Sequence, residues 1–173
     1  MKKQVVVSGG FDPIHVGHIR MILEASQNGD VIVVVNSDKW LERKKGYIFM
    51  PWEERVEIIR SIRGVVDVVG ADDTDNTVCE AIYRLHIAGR CDIFANGGDR
   101  LISNTPEKKL CEQLGIEMLW GVGGDKIRSS SNLVDNAGYE CNKFENIMKR
   151  QKANNPPPPA GRHGAAKTEI KGV

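Results

Sequence analysis

Two histidines stand three residues apart near the start of the chain, just after an apolar segment and a glycine turn. The stretch from Gln4 to Val7 is typical of a buried strand, and the run Ser-Gly-Gly-Phe-Asp-Pro-Ile-His-Val-Gly-His that follows ends in His15 and His18. Amphipathic spacing from about Gly17 predicts a helix, with both imidazoles at its N-terminus. Helix N-termini bind anions, so this stretch predicts a phosphate-handling site.

A single histidine beside a strand is more typical of a hydrogen-bonded core residue than of a ligand. The combination found here, a glycine pair, Asp-Pro and His-x-Gly-His at one strand-to-helix turn, is much more specific and favours a functional site. Gly9 and Gly10 allow the backbone to approach a ligand closely, and Phe11 and Asp12 continue the same turn.

This run resembles the signature of the HxGH nucleotidyltransferase superfamily, the cytidylyltransferase-like family that includes glycerol-3-phosphate cytidylyltransferase, the heptose-1-phosphate adenylyltransferases and archaeal FAD synthetase. The resemblance extends over about residues 4 to 135 through six further segments in the expected order. They are Asn36-Ser37-Asp38, Lys44-Lys45-Gly46, Pro51-Trp52-Glu53-Glu54-Arg55, the segment from Ile62-Arg63 to Asp67, Asn96-Gly97-Gly98-Asp99, and Ser129-Ser130-Ser131.

The resemblance implies catalysis by four residues, His15, His18, Lys44 and Lys45. Nucleotidyl transfer displaces pyrophosphate from the α-phosphorus of a nucleoside triphosphate without a covalent enzyme intermediate, so it depends on positioning and on preorganised positive charge. In the family the histidines stabilise the pentacoordinate transition state and mobile lysines reach the phosphates. The lysines here fall in what reads as a polar loop, Glu-Arg-Lys-Lys-Gly, and a basic run in such a loop is often only solvated.

The other site residues also follow from the resemblance. Those implied to bind the nucleotide are Gly9, Gly10, Phe11, Asp12, Arg55, Asn96, Gly98, Asp99, Arg128, Ser129 and Ser130, and those implied to bind the acceptor are Asp38 and Arg63. Each has a structural alternative: the arginines can pair with carboxylates, the serines can cap a helix, and the Asn-Gly-Gly-Asp segment and Asp38 can form turns.

The nucleobase stays open between ATP and CTP, with ATP favoured. The family's cytidylyltransferases carry an arginine where this chain has Gly124, and Lys126 or Arg128 is a candidate to replace its charge. The resemblance implies Mg²⁺ as the cofactor, although no carboxylate cluster in the sequence fixes the ion, and Asp12 is the one candidate ligand. The segment from Gly121 to Lys126 lacks the spacing of a P-loop, which argues against that class of ATPase.

Apolar runs alternate with helical patterns along the chain and predict an α/β fold. Strands are expected at about 4–8, 31–35, 65–69, 92–95 and 116–119, and helices from Pro51 to Gly64, from Asn76 to Ala88 and over 106–114. Nearly unbroken apolar strands indicate a parallel sheet covered on both faces, hence a single domain of Rossmann-like, doubly wound architecture. The predicted organisation is a nucleotidyltransferase domain over 1–135, a helical extension over 136–150 and a disordered, proline-containing tail over 151–173.

Composition narrows the classes of partner. Among 173 residues, 24 Lys and Arg balance 23 Asp and Glu, so neither a nucleic acid nor a membrane surface is expected as a partner. A short N-terminal lead into the first strand and the lack of a long apolar run favour a cytoplasmic protein. The four widely spaced cysteines are expected to be free, mostly buried thiols, and the family resemblance suggests a homodimer.

The sequence therefore predicts a nucleotidyltransferase that transfers a nucleotidyl group from ATP or CTP to a small phosphorylated sugar or polyol and releases pyrophosphate. Two alternatives stay open: a non-catalytic nucleotide-binding regulatory module, and an adenylyltransferase acting on flavin or nicotinamide mononucleotide. The acceptor is not identified, because its contacts come from loops whose side chains carry no general code.

Overall fold

The computed structural model describes residues 2–97, 106–124 and 128–154. Five parallel strands form one sheet in the order β3-β2-β1-β4-β5. The strands are β1 (Gln4–Gly9), β2 (Asp30–Val35), β3 (Val65–Gly70), β4 (Ile93–Gly97) and β5 (Glu117–Val122). This confirms the predicted parallel, Rossmann-like sheet, since the strand order reverses between β1 and β4 as it does in doubly wound folds.

Within the described residues, five helices lie between successive strands and a sixth follows the last strand. Buried side chains of the connecting helices cover both faces of the sheet. The helices are α1 (Val16–Ala25), α2 (Asp38–Lys45), α3 (Trp52–Arg60), α4 (Cys79–Ile87), α5 (Glu107–Leu114) and α6 (Ser130–Asn154). Buried residues of α1 and α3, such as Ile22 and Ile59, pack with Val5 and Val7 on one face. Buried residues of α4 and α5 pack with Val6 on the other face, as the alternation of side chains along a strand requires.

The prediction of a polar loop over Lys44 and Lys45 is wrong, because these residues form the last turn of α2. Two local signals define this helix. The Ser37 hydroxyl accepts a hydrogen bond from the Trp40 amide at the N-terminus, and Gly46 adopts the left-handed conformation, with φ of 82°, that ends the helix. Both lysines are therefore held on a helix that begins directly after β2.

The predicted start of the fourth helix at Asn76 is also wrong. Asn76 has a φ of 64° and lies in a turn, and the Asp75 carboxylate accepts hydrogen bonds from the amide and hydroxyl of Thr77. These local bonds compete with helix formation, so α4 begins only at Cys79.

The chain divides at Val134 into two units, and α6 runs through the division. The described part of the second unit is the remainder of that helix, which continues past the predicted start of the tail at residue 151. Residues 155–173, with the four prolines, lie outside the described residues. No helix within the described ranges has the length and apolar character needed to span a membrane.

The cysteines are free thiols, but only two of the four are buried. Burial raises the pKa of Cys91 to about 12 and that of Cys111 to about 11. A thiol with so high a pKa holds its proton at neutral pH. Cys79 is half-buried and Cys141 is exposed, against the expectation of mostly buried thiols.

Candidate active site

A cavity of about 340 Å³ opens at the carboxyl ends of β1, β4 and β5. It spans the position between β1 and β4 where the strand order reverses, which is where ligands bind in open α/β sheets. Among the described residues that line it there is no carboxylate. The lining residues are Gly10, Phe11, His15, Gly17, His18, Met21, Trp40, Lys44, Lys45, Gly97, Val122, Gly123, Gly124, Arg128, Ser129, Ser130 and Ser131.

His15 and His18 belong to this lining and cap the first turn of α1. His15 is the N-cap residue, and its Nδ1 accepts a hydrogen bond from the Gly17 amide at 3.1 Å. Nδ1 of His18 accepts from the His15 amide at 3.2 Å, which completes a capping box built from two imidazoles. The helix start that the sequence predicted therefore fixes both rings relative to the backbone.

This capping fixes the tautomer of each ring. An imidazole nitrogen that accepts a hydrogen bond carries no proton, so in each neutral histidine the proton lies on Nε2. The two rings are stacked, with their centroids 3.8 Å apart and their planes 19° apart, and the Phe11 ring meets His18 edge-on at 5.0 Å. Two Nε2–H donors on stacked rings that line the cavity are suited to binding the oxygens of a phosphate.

One wall of the cavity, called here the α2 wall, consists of Trp40, Lys44 and Lys45. Nζ of Lys44 lies 4.3 Å from the centroid of the Trp40 indole, a cation–π distance. Lys45 is half-buried and donates a hydrogen bond to the carbonyl of Asp12. Burial lowers the pKa of the Lys45 ammonium; the charges of Lys44 and Arg55 reinforce this shift, and Asp12 opposes it.

The opposite wall, called here the glycine wall, consists of Val122–Gly124 and Arg128–Ser131. Gly123 has a φ of 91°, and its amide donates to the Glu24 carboxylate on α1 at 2.9 Å. At the start of α6 the hydroxyl of Ser130 donates to the carbonyl of Pro13 at 2.9 Å. The glycine wall is thus joined to the segment between β1 and α1, residues 10–15, called here the histidine turn. The N-terminus of α6 lies beside it.

Asp12 does not fit the role of a metal ligand. The residue is 0% exposed, and its two carboxylate oxygens accept the amides of Phe49 and Met50 at 3.1 and 2.6 Å. No group of three His, Cys, Asp or Glu side chains that could hold an ion occurs within the described part of the chain. Asp12 instead anchors the segment between α2 and α3 beneath the cavity.

Arg55 and Asp38 also lie outside the described lining of the cavity. Arg55 is 0% exposed and donates hydrogen bonds to the carbonyls of Gly10, Asn36 and Met50. Its Nη2 forms an ion pair with Asp38, whose second carboxylate oxygen accepts the Trp52 amide at 3.2 Å. The contacts of this pair hold α2, α3 and the histidine turn together. The predicted roles of Arg55 in binding the nucleotide and of Asp38 in binding the acceptor stay predictions.

Five further residues that were predicted to bind the nucleotide or the acceptor do not line the described part of the cavity. Gly9 ends β1 beneath the cavity, and Arg63 is exposed beyond the end of α3. Asn96 is buried at the end of β4, and its side-chain nitrogen has no partner among the described residues. Gly98 and Asp99, predicted to bind the nucleotide, lie outside the described residues.

Sequence reasoning missed Trp40, which lines the cavity, and Asp73, which supports the α2 wall. A signal for Trp40 existed, since Ser37 and Gly46 bound a helix on which Trp40 and Lys44 are one turn apart. No local signal marked Asp73, because its hydrogen bonds to Asn36 and Ser37 cross 37 and 36 positions of the chain.

Taken together, a switch-point cavity, paired Nε2–H donors, cations and two helix N-termini define an enzyme site for nucleotide phosphates. Comparison with known proteins agrees with this class. The model of the cytidylyltransferase-like family matches residues 6–155. The chain therefore belongs to the cytidylyltransferase-like family and is a nucleotidyltransferase.

Individual relatives carry different names. The FAD synthase of Pyrococcus abyssi is 34% identical over 117 residues, which cover 66% of this chain and 76% of that protein. The bifunctional protein HldE of Syntrophotalea carbinolica is 33% identical over 139 residues, covering 78% of this chain and only 26% of that protein. A lipopolysaccharide core biosynthesis protein from Thermoplasma volcanium shares the fold, with a TM-score of 0.56 and 22% identity over 72% of this chain and 98% of that one.

Proposed function

We propose that the protein transfers an adenylyl group from ATP to the phosphate of a small acceptor, with release of pyrophosphate. An acceptor phosphate oxygen forms a bond to the α-phosphorus while the bond from that phosphorus to the bridging oxygen breaks. A phosphate dianion as nucleophile has no proton to lose, so the site needs no general base. The observation that carries the proposal is the stacked histidine pair, with Nδ1 of each ring occupied by a backbone amide.

The histidines act as donors in this proposal. As the α-phosphorus becomes pentacoordinate, charge builds on its non-bridging oxygens, and Nε2–H groups of His15 and His18 stabilise that charge. Because the capping bonds hold both rings before the ligand arrives, little reorganisation is needed in the transition state.

The two walls supply the remaining charge. Arg128 and the amides at Ser129 and Ser130 bind the outer phosphates at the N-terminus of α6. On the opposite wall, Lys44 and Lys45 balance the charge of the acceptor phosphate that approaches the α-phosphorus. If Mg²⁺ takes part, the triphosphate would supply its ligands, since both carboxylate oxygens of Asp12 already accept backbone amides and Mg²⁺ commonly takes substrate phosphates as ligands. When bound, the ion neutralises charge on the leaving pyrophosphate.

ATP is favoured over CTP for two reasons. Several relatives at 33 to 34% identity are named FAD synthase, and the product in that name contains adenine. In addition, Gly124 stands where the cytidylyltransferase pattern has an arginine. A sugar phosphate, a polyol phosphate and flavin mononucleotide all meet the chemical requirement for the acceptor.

Pyrophosphate release by the purified full chain tests the proposal, with Mg²⁺, ATP or CTP, and a panel of phosphorylated sugars, polyols and mononucleotides. We expect release that depends on an acceptor, with ATP preferred. His18→Ala should lower kcat by about 10² to 10³, the usual loss when one preorganised donor is removed. His86→Ala is the matched control, since His86 lies on α4 outside the described cavity lining.

Two results would contradict the proposal. ATP binding without pyrophosphate release across the panel would favour a regulatory nucleotide-binding module. Thermal unfolding checks that wild type and His18→Ala are both folded. Equal rates of pyrophosphate release for two folded proteins would show that the histidine pair does not contribute to catalysis.

A further inference from the structure

The indole of Trp40 lines a cavity whose polar groups suit phosphate. Trp40 and Leu41 are the apolar residues of α2, and every other position of that helix is charged. Leu41 is fully buried, whereas Trp40 is half-buried and lines the cavity. Phosphate transfer does not require an aromatic surface, so the placement of the indole needs a separate explanation.

The indole is held in place by several contacts. The Trp40 amide donates to the Ser37 hydroxyl at 3.0 Å, and Ser37 is fixed by hydrogen bonds of 2.7 Å from its hydroxyl and its amide to the buried Asp73 carboxylate. The edge of the ring packs over Gly10, where an added Cβ would lie 3.2 Å from Trp40 Cζ3. A ring fixed before ligand binding is suited to stacking, because little side-chain entropy is lost on binding.

The position of the indole in the cavity indicates which substrate it meets. The N-terminus of α6 lies in the glycine wall on the β5 side, and this anion-binding end suits the triphosphate. The histidines lie at the N-terminus of α1, which follows β1, and α2 follows β2 on the opposite side of β1 from β4. With the triphosphate between the histidines and α6, the α2 wall is left for the acceptor.

We propose that Trp40 forms a stacking subsite for a planar aromatic ring of the acceptor, in the class represented by flavin mononucleotide. This inference rests on the proposed function, since it assigns the acceptor of that reaction. A sugar or polyol phosphate has no planar π face for the indole, whereas a fused heterocycle does. Lys44, 4.3 Å from the same indole, supplies positive charge for a phosphorylated acceptor.

Flavin mononucleotide itself is the probe in the test, because stacking on tryptophan quenches its fluorescence. The full chain is titrated with the flavin, and KM values for flavin and for ATP are measured by pyrophosphate release. We expect Trp40→Leu to raise the flavin Kd and KM by at least about fivefold, the lower range for loss of one stacking contact, with no change in the KM for ATP. Trp40→Phe keeps a stacking face and should stay within about twofold of wild type.

Trp120→Leu is the matched control, since Trp120 lies on β5 outside the described cavity lining. Thermal unfolding shows whether Trp40→Leu is folded, and Trp40→Phe serves as the milder variant if it is not. A fall in quenching with Trp40→Leu and not with Trp120→Leu would assign the flavin to the indole.

The experiment distinguishes failure of the stacking subsite from failure of the proposed function. If the protein consumes ATP with a sugar or polyol phosphate and neither binds nor uses flavin mononucleotide, the proposed function stands and the stacking subsite is overturned. If Trp40→Leu raises the KM for ATP instead, the indole meets the nucleobase and the inference is overturned. If no acceptor supports pyrophosphate release, the proposed function fails, while loss of flavin binding in Trp40→Leu would still support the subsite.

Discussion

The two walls of the cavity are built by different means. The α2 wall is held by side chains: Ser37 is bonded to Asp73, Asp38 to Arg55, and Lys45 to the carbonyl of Asp12. The glycine wall is held largely through the backbone. Gly123 and Gly124 have positive φ, as does Gly121 just before the wall, and the amide of Gly123 donates to the Glu24 carboxylate on α1.

This difference matters for function. Backbone amides and a helix N-terminus recognise phosphate whatever the rest of the ligand contains, so the glycine wall suits the triphosphate that all nucleotides share. Side chains differ in shape and chemistry, so the α2 wall is the place where selection among acceptors can be encoded. The contrast predicts that substitutions damage the two walls through different physical mechanisms.

The largest effect is expected from Arg55→Met, because the guanidinium supports the α2 wall from below. Its removal leaves the buried side of Asp38 and three backbone carbonyls without their donor. Breaking a fully buried ion pair typically costs about 3–5 kcal/mol of unfolding free energy, and because the Asp38 side chain is 32% exposed we expect a loss near the lower end of that range. Urea unfolding measures this loss, and Arg63→Ala, at an exposed position, should stay within about 0.5 kcal/mol of wild type.

Arg55→Lys sharpens the same test. A lysine keeps the charge but cannot span four acceptors from one nitrogen, so its stability should fall between those of wild type and Arg55→Met. If Arg55→Met lowers the unfolding free energy by less than about 1 kcal/mol, the α2 wall does not depend on this network, because breaking a buried pair costs more than that.

Gly123→Ala tests the glycine wall and should have the next largest effect. An added Cβ at Gly123 would lie 2.9 Å from the Met21 backbone, in addition to the strain of an alanine at a φ of 91°. Gly121 also has positive φ, but an added Cβ there would meet nothing within 4 Å, so Gly121→Ala reports the strain alone. We expect Gly123→Ala to be less stable than Gly121→Ala by about 1–3 kcal/mol, the usual cost of overpacking. Equal losses in thermal unfolding would mean that the glycine wall does not pack tightly on α1.

The contrast between the walls also explains what sequence reasoning could and could not predict. The sheet and the histidine pair were predictable because their signals are local: apolar strands, a glycine turn and a helix start lie within one short stretch. The polar α2 was missed because six charged residues in eight positions hide its one buried residue, Leu41, although its capping residues were visible. The support of the α2 wall was beyond local signals, since Asp73 and Arg55 reach their partners across tens of residues.

The smallest effect concerns Lys45, whose pKa is lowered chiefly by burial. Because its pKa in the folded state lies below the ordinary 10.5, the unfolded chain binds more protons between the two values, and this group adds stability as the pH rises through that window. Lys45→Met removes the contribution. The stability of the variant relative to wild type should therefore be highest below the folded-state pKa and should decline as the pH approaches 10.5.

Urea unfolding without nucleotide, at several pH values from neutral to about 10.5, measures this change. Lys39→Met, at an exposed lysine on the same helix, corrects for general effects of removing a positive charge from α2. If the difference in unfolding free energy between Lys45→Met and wild type changes with pH no more than the difference for Lys39→Met does, burial does not disfavour the charge of Lys45. A declining difference for Lys45→Met alone would show that the α2 wall holds a cation at a cost in stability, as expected if that charge is kept for a phosphorylated ligand.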